Sequence, residues 1–218
     1  MRVLVGDIRI YIEKKGVGEP LVLVHGNGED HQIFDRLVER LSHHYTCYLV
    51  DSRNHGKSDW TDVFDYDVMA HDILCLMTKL NIKKPYFLGF SDGGIIGLKI
   101  AIQKQDALKK MVICGANLEP AGLKVSALRA MEETYQKTKN PLIKMMLDQP
   151  HILTKDLANI TIPTRVIAGE HDVIKRSHTS TIAHHLLYAS LMILAKKNHD
   201  DYLVHRDDLY ETLCDFFK

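Results

Sequence analysis

The sequence predicts an α/β protein built on a mostly parallel, twisted sheet with helices on both faces. Apolar runs of strand length alternate with segments whose apolar residues recur at helical spacing, which is typical of parallel strands joined by crossover helices. The run 21–24 contains four consecutive apolar residues, as expected of a strand that is covered on both faces. Polar residues follow successive predicted strands, where such sheets carry their functional groups.

Each predicted element follows from periodicity and from the residues that interrupt it. Short apolar runs bounded by Gly, Pro, Asn or Asp predict strands. Apolar residues three and four positions apart, such as Phe34, Leu37, Val38 and Leu41, predict amphipathic helices. The predicted strands are 3–5, 8–13, 21–24, 45–50, 85–90, 111–114, 164–168 and 190–195. The predicted helices are 31–44, 67–80, 95–102, 124–139, 142–147, 179–188 and 207–217.

The strand–helix alternation stops at residues 118–159. Two helical patterns occur there, and Pro120, Pro141 and Pro150 punctuate them. We interpret this segment as a small helical insertion into a core formed by residues 1–117 and 160–218. A length of 218 residues suits one α/β domain with a modest insertion.

The composition argues against several classes of partner. Lys and Arg number 28, as do Asp and Glu, so the net charge favours neither nucleic acid nor an anionic membrane surface. No apolar stretch reaches the length of a membrane span. The first residues lack the apolar core of a signal peptide, and the four cysteines are scattered inside apolar segments. We therefore expect a cytoplasmic protein with reduced thiols; its oligomeric state is not predicted.

The most informative motif is Gly89-Phe90-Ser91-Asp92-Gly93, which lies between an apolar strand and an apolar helix. A serine on such a sharp turn needs small neighbours, and the flanking glycines remove side chains that would collide. The turn presents the hydroxyl beside the first amides of the next helix, which combines a nucleophile with an anion-stabilising site. Taken alone, the motif also fits a glycine-rich turn with a solvated serine.

Two further residues complete a candidate catalytic set. A serine hydroxyl needs a base within hydrogen-bond reach, and that base needs an acid to fix its tautomer. Asp172 follows the predicted strand 164–168, and His199 follows the last strand. Because the carboxyl ends of parallel strands share one edge, we expect both to lie near Ser91.

The assignments of base and acid each have competitors. His205 is a rival base, although it lies in the approach to the final helix. Glu170 and Asp200 are rival acids, and Asp172 has an alternative role as the N-cap of the segment after it.

With these motifs the chain resembles the α/β-hydrolase superfamily over essentially its whole length, as a serine esterase with a short cap. The resemblance implies that Ser91 is the nucleophile, Asp172 the orienting acid and His199 the general base, and that the backbone N–H groups of Asn27 and Asp92 form the oxyanion hole. It also implies that 118–159 is the cap and that no cofactor or metal takes part. The matching motifs are His25-Gly26, Asp51-Ser52-Arg53-Asn54-His55-Gly56-Lys57-Ser58, Gly89-Phe90-Ser91-Asp92-Gly93, Gly169-Glu170-His171-Asp172 and Asn198-His199.

The chain departs from the family's pattern at three positions. Asn198 and Asp200 flank His199 where the family usually has Gly and a small residue, and Asn54 stands where the loop after the fourth strand usually has Gly. The paired carboxylates Asp200-Asp201 could favour the imidazolium form of His199 and weaken it as a base.

The sequence therefore predicts an enzyme that cleaves small to medium carboxylic esters through an acyl-enzyme. A thioesterase, an acyltransferase or a carbon–carbon bond hydrolase of the same fold is an alternative, and a ligand-binding protein without turnover is an alternative of another class. A further hypothesis is that Asp92, Glu29 and Asp30 make the pocket anionic and favour substrates with an ammonium group; the competing role for Asp92 is to cap the elbow helix. No sequence pattern of a metal site occurs.

Overall fold

Eight strands form one sheet in the computed structural model, which describes residues 1–218. The strands are β1 (Arg2–Val5), β2 (Ile8–Lys15), β3 (Glu19–Val24), β4 (Tyr45–Val50), β5 (Tyr86–Phe90), β6 (Lys110–Cys114), β7 (Thr164–Gly169) and β8 (Ala189–Leu194). Their order is β1-β2-β4-β3-β5-β6-β7-β8. Only β1–β2 and β2–β4 pair antiparallel, and every pair from β4 to β8 is parallel. The predicted mostly parallel sheet is confirmed.

All predicted helices are present, with shifted ends. They are α1 (Asp35–Leu41), α2 (Tyr66–Lys79), α3 (Asp92–Gln103), α4 (Val125–Thr138), α5 (Pro141–Asp148), α7 (Arg176–His185) and α8 (Tyr210–Phe217). The four-residue α6 (Thr154–Leu157) was not predicted, because one turn is too short to show a period. None of the helices combines the length and the apolar character that crossing a membrane requires.

The first predicted helix differs most from its prediction. Its first turn, His31–Phe34, is a 3₁₀ helix, and the α-helical part covers only Asp35–Leu41. The side chain of Asp30 accepts a hydrogen bond from the Gln32 N–H, so the turn begins with a side-chain cap.

The sheet separates two apolar cores. Leu21 and Leu23 of β3 face the core that α1 and α8 cover, whereas Val22 and Val24 face the core that α2 and α3 cover. All four side chains are at most 1% exposed. The unbroken apolar run of β3 therefore reflects helices on both faces, as predicted.

The strand register brings the carboxyl ends of the parallel strands to one edge. Val24 at the end of β3 lies opposite both Val50 and Gly89. The ends of the next strands are also aligned, with the pairs Phe90–Cys114 and Gly169–Leu194. The loops that carry the candidate residues leave the sheet from this edge.

Candidate active site

Ser91 occupies a strained turn between β5 and α3. Its backbone has φ +50° and ψ −112°, a region that costs a non-glycine residue about 1–3 kcal/mol. Its N–H donates to the Cys114 carbonyl over 2.7 Å, which holds the turn against β6. A Cβ on Gly89 would lie 2.2 Å from the Gly93 oxygen, and one on Gly93 would lie 2.0 Å from the Val24 oxygen. Both glycines are therefore required by the close approach of three backbone segments.

The structure brings Ser91, His199 and Asp172 into one hydrogen-bonded chain. The His199 Nδ1–H donates to Asp172 Oδ1 over 2.7 Å, and the Ser91 hydroxyl donates to His199 Nε2 over 3.2 Å. Asp172 Oδ1 also accepts the Ile174 N–H over 2.9 Å. Because the carboxylate binds the proton on Nδ1, Nε2 is left as the acceptor that faces the serine.

The charges around His199 favour its protonated form. Burial acts to lower its pKa, but the hydrogen bond and charge of Asp172, together with the charges of Asp200 and Glu29, outweigh burial and raise the pKa above its ordinary value. Asp200 thus acts in the direction that the sequence suggested, without contacting the ring through a hydrogen bond.

The competing residues point elsewhere. His205 is 57% exposed and lies 3.0 Å from Asp35. Glu170 accepts the Lys196 N–H of the loop after β8 rather than contacting His199. Asp172 is not the N-cap of α7, since that position is Lys175 and has no side-chain cap; its Oδ1 accepts the Ile174 N–H before the helix and also contacts His199.

The backbone N–H groups of Asn27 and Asp92 have no hydrogen-bond acceptor within the protein. Asp92 is the first residue of α3, so its N–H has no partner inside the helix. Asn27 lies in the loop after β3, next to Gly26, where an added Cβ would lie 3.1 Å from Ser91 Cβ. Two free donors therefore lie in the segments that flank the serine.

The three carboxyl groups that were predicted to make the pocket anionic accept hydrogen bonds from other groups of the protein. Asp30 caps the first turn of the chain's first helix. Asp92 is 3% exposed and accepts hydrogen bonds from the Tyr66 hydroxyl and from Asn27 Nδ2. Glu29 is half-buried and accepts the Gly26 N–H. Asp92 therefore does not cap its own helix, contrary to the competing expectation.

Three side chains support the loops around the site. His25 donates from Nδ1 to the Gly26 carbonyl and accepts the Ser52 N–H at Nε2. Burial, with the nearby charge of His55, lowers the pKa of His25 to about 4, so the ring is neutral near neutral pH. The Arg53 guanidinium donates two hydrogen bonds to Asp72, over 2.6 and 2.8 Å, and both side chains are 7% exposed.

A small cavity of about 100 Å³ opens beside Ser91 and His199. Leu123, Met131 and Met146 from the 118–159 segment are among the residues that line it. A larger cavity of about 470 Å³ lies at the amino end of β5, at the opposite edge of the sheet from Ser91. Its position excludes it from the chemistry of the serine.

Backbone contacts tie the start of the 118–159 segment to the loop that carries Asp172. Leu123 forms an isolated antiparallel bridge with Ile174, and the Lys124 N–H donates to the Val173 carbonyl over 2.8 Å. The Leu118 N–H donates to His178 Nε2 over 2.9 Å. The start of the 118–159 segment is therefore fixed to the loop that carries Asp172.

Sequence reasoning missed two residues of the site. Tyr66 binds Asp92 from 26 positions away, and no local pattern connects them. Gly115 has φ +61°, and a Cβ there would lie 2.6 Å from His199 Cε1. Gly115 could have been found from the sequence, because it directly follows the predicted strand 111–114 at the edge of the sheet that carries the candidate residues.

Asp30, His31 and Asp51 form a cluster whose ligand atoms lie close enough for a metal ion. Asp51 accepts the His31 and Lys57 N–H groups, one at each oxygen, and its Oδ1 lies 2.7 Å from His31 Nδ1. The polar atoms of this cluster thus form hydrogen bonds with one another and with backbone N–H groups.

Comparisons with known proteins point to one family. The model of the α/β hydrolase fold family matches residues 19–144. An sn-1-specific diacylglycerol lipase, ABHD11, from Danio rerio is 33% identical over 45% of this chain and 32% of that protein. The serine hydrolase BPHL of Homo sapiens is 25% identical over the whole chain and 86% of that protein. The chain thus spans about a third of the length of the first curated relatives it matches.

A solved structure agrees with this family. The esterase EaEST of Exiguobacterium antarcticum superposes with a TM-score of 0.85 at 23% identity, over 99% of this chain and 98% of that one. At that identity the likeness speaks for the fold alone. The match of the family model covers more than half of the 218 residues, and the sheet order, the serine turn and the hydrolase relatives agree with it, so the chain belongs to the α/β hydrolase fold family of enzymes.

Proposed function

We propose that this chain is a serine hydrolase that cleaves small to medium carboxylic esters through an acyl-enzyme. The observation that carries the proposal is the hydrogen-bonded chain from Ser91 through His199 to Asp172, with distances of 3.2 and 2.7 Å. The free N–H groups of Asn27 and Asp92 support an oxyanion hole beside it.

In this mechanism Ser91 Oγ attacks the ester carbonyl carbon while His199 Nε2 takes the hydroxyl proton. The carbonyl oxygen becomes an oxyanion, which the N–H groups of Asn27 and Asp92 bind. His199 then gives the proton to the departing alcohol, and the acyl group stays on Ser91. A water attacks the acyl carbon, His199 takes its proton, and return of that proton to Oγ releases the carboxylic acid. Asp172 holds the imidazole and stabilises its charged form.

The cavity supports a short acyl chain. Its volume of about 100 Å³ is well below the roughly 300–1,000 Å³ of pockets for drug-sized ligands. We propose that residues 118–159 are the cap and that Met131 and Met146 contact the acyl group, because both line the cavity. The unpaired state of Cys47, Cys75, Cys114 and Cys214 supports a cytoplasmic location.

A fluorophosphonate probe, applied to the wild type and to Ser91→Ala, tests the proposal. We expect the probe to label the wild type and not the variant, because only an activated serine attacks phosphorus rapidly. A panel of p-nitrophenyl esters of rising acyl length then measures kcat/KM, which we expect to be highest for acetate to butyrate. Absence of labelling in the wild type would favour a ligand-binding protein without turnover. Faster turnover of thioesters, or of transfer to an added alcohol, would favour a thioesterase or an acyltransferase.

A further inference from the structure

The two residues proposed for the oxyanion hole are connected through their side chains. Asn27 Nδ2 donates to Asp92 Oδ2 over 2.9 Å, and the Tyr66 hydroxyl donates to Asp92 Oδ1 over 2.7 Å. Asn27 Nδ2 also donates to the Leu142 carbonyl of α5 over 3.3 Å. The Asp92 carboxyl thus joins the loop after β3 to the first turn of α3, while the backbone N–H groups of both residues remain free.

Glu29 holds the same loop from its other end. Its Oε2 accepts the Gly26 N–H over 2.9 Å, and its own N–H donates to the Gly26 carbonyl over 3.4 Å. A Cβ on Gly26 would lie 2.6 Å from Glu29 Oε2 and 3.1 Å from Ser91 Cβ. The carboxyl and the serine therefore lie on the same side of this glycine, with no room for a side chain between them.

Neither carboxyl group is part of an ion pair with Lys or Arg. Burial raises the pKa of Glu29 to about 7, and the charges of Asp92 and Asp200 add to this, against the Gly26 N–H and His199. Burial also raises the pKa of Asp92, against its two hydrogen-bond donors. Burying a carboxyl group without a cationic partner costs stability. We therefore attribute the presence of these two carboxyl groups to their hydrogen bonds with the loop.

We propose that the side chains of Glu29 and Asp92 are positioning residues that hold the oxyanion-hole loop, residues 25–28. This inference rests on the proposed serine hydrolase function. Glu29 fixes the turn at Gly26, and Asp92 fixes the Asn27 side chain, so the Asn27 N–H stays directed beside Ser91. A preorganised donor stabilises the transition state more than the bound substrate, so loss of either support lowers kcat more than it changes KM.

Two variants at Glu29 separate its hydrogen bond from its charge. Glu29→Gln keeps a carbonyl oxygen that can accept the Gly26 N–H, whereas Glu29→Ala removes the acceptor. With p-nitrophenyl acetate we expect Glu29→Ala to lower kcat by about 10- to 100-fold, with KM within about twofold, and Glu29→Gln to recover most of the loss. Equal loss in both variants would overturn the proposal.

A swap tests Asp92. In Asp92→Asn the new NH₂ either faces the Asn27 NH₂, donor against donor, or turns to the Tyr66 oxygen and leaves the buried Tyr66 O–H without its acceptor, so we expect kcat to fall. In the double variant Asn27→Asp/Asp92→Asn the donor and acceptor change places, and we expect part of kcat to return, although the carboxylate introduced in the loop cannot donate to the Leu142 carbonyl. A double variant no more active than Asp92→Asn would contradict the role of this contact.

Amide hydrogen exchange tests the loop without relying on turnover. We expect the peptide containing residues 25–28 to exchange faster in Glu29→Ala and Asp92→Asn than in the wild type. The matched control is Asp30→Ala, which removes the cap of the next turn but no contact of the loop; we expect a lower urea midpoint with unchanged kcat. Wild-type exchange of the loop in both carboxyl variants would refute the inference, whereas an inactive wild type would refute only the hydrolase function.

Discussion

Replacing Asp172 by Asn removes the negative charge of the proposed acid while keeping its shape and one oxygen that accepts hydrogen bonds. Both donors to this side chain, His199 Nδ1 and the Ile174 N–H, use the same oxygen, Oδ1. The other oxygen, Oδ2, is buried and has no hydrogen-bond partner. An asparagine amide can therefore present its oxygen to both donors and place its NH₂ at the Oδ2 position. In the opposite orientation the NH₂ would face two other donors, the His199 Nδ1–H and the Ile174 N–H. We therefore expect the first orientation, which keeps the proton of His199 on Nδ1.

The expected loss then reflects the missing negative charge. Asp172 is 3% exposed, so solvent screens its charge weakly. With the centres of the imidazolium and carboxylate charges about 4 Å apart and an effective dielectric constant of about 20, their interaction is about 4 kcal/mol. Since about 1.4 kcal/mol corresponds to a tenfold change in rate, kcat should fall about 10³-fold. The unpaired NH₂ adds a stability cost of about 1–3 kcal/mol.

The assay is steady-state hydrolysis of p-nitrophenyl acetate at slightly alkaline pH by wild type, Asp172→Asn and Ser91→Ala, with urea unfolding of each. We expect KM to stay close to the wild-type value while kcat falls, and Ser91→Ala to give the background rate. A folded Asp172→Asn with kcat within tenfold of the wild type would refute the reasoning, because a carboxylate in that position would then contribute little to stabilising the imidazolium.

Three further outcomes are expected. First, kcat/KM should rise with pH as His199 loses its proton, and the midpoint should lie above the ordinary pKa of histidine, because the pKa of His199 is raised. Glu29→Gln should lower this midpoint, since it removes one of the negative charges that raise the pKa of His199. A pH–rate profile of each protein checks both expectations. Second, Asp72→Ala should destabilise the fold by about 3–5 kcal/mol in urea unfolding, because it leaves the buried guanidinium of Arg53 without its partner. Third, Gly93→Ala should abolish probe labelling or folding, because its Cβ would lie 2.0 Å from the Val24 oxygen; a folded, labelled variant would show that the turn tolerates a side chain.

The sequence was sufficient for the fold because each element is specified locally. Strands and helices appear in the periodicity of short windows of neighbouring residues, and the mostly parallel sheet follows from their alternation. The errors are local too: the 3₁₀ start at His31–Phe34 and the short α6 depend on single hydrogen bonds or single turns that periodicity does not register.

For the candidate site, the sequence by itself determined the serine turn, through Gly89 and Gly93, and the order of Ser91, Asp172 and His199 along strands whose ends share an edge. Only the tertiary structure decided which polar atoms meet. It directs His199 rather than His205 toward the serine, and it joins Asp92 to Tyr66 and Asn27 across 26 and 65 positions of the chain. The physical reason is that hydrogen-bond partners between loops are chosen by the packing of the whole sheet and its helices, for which no short stretch of sequence carries a pattern.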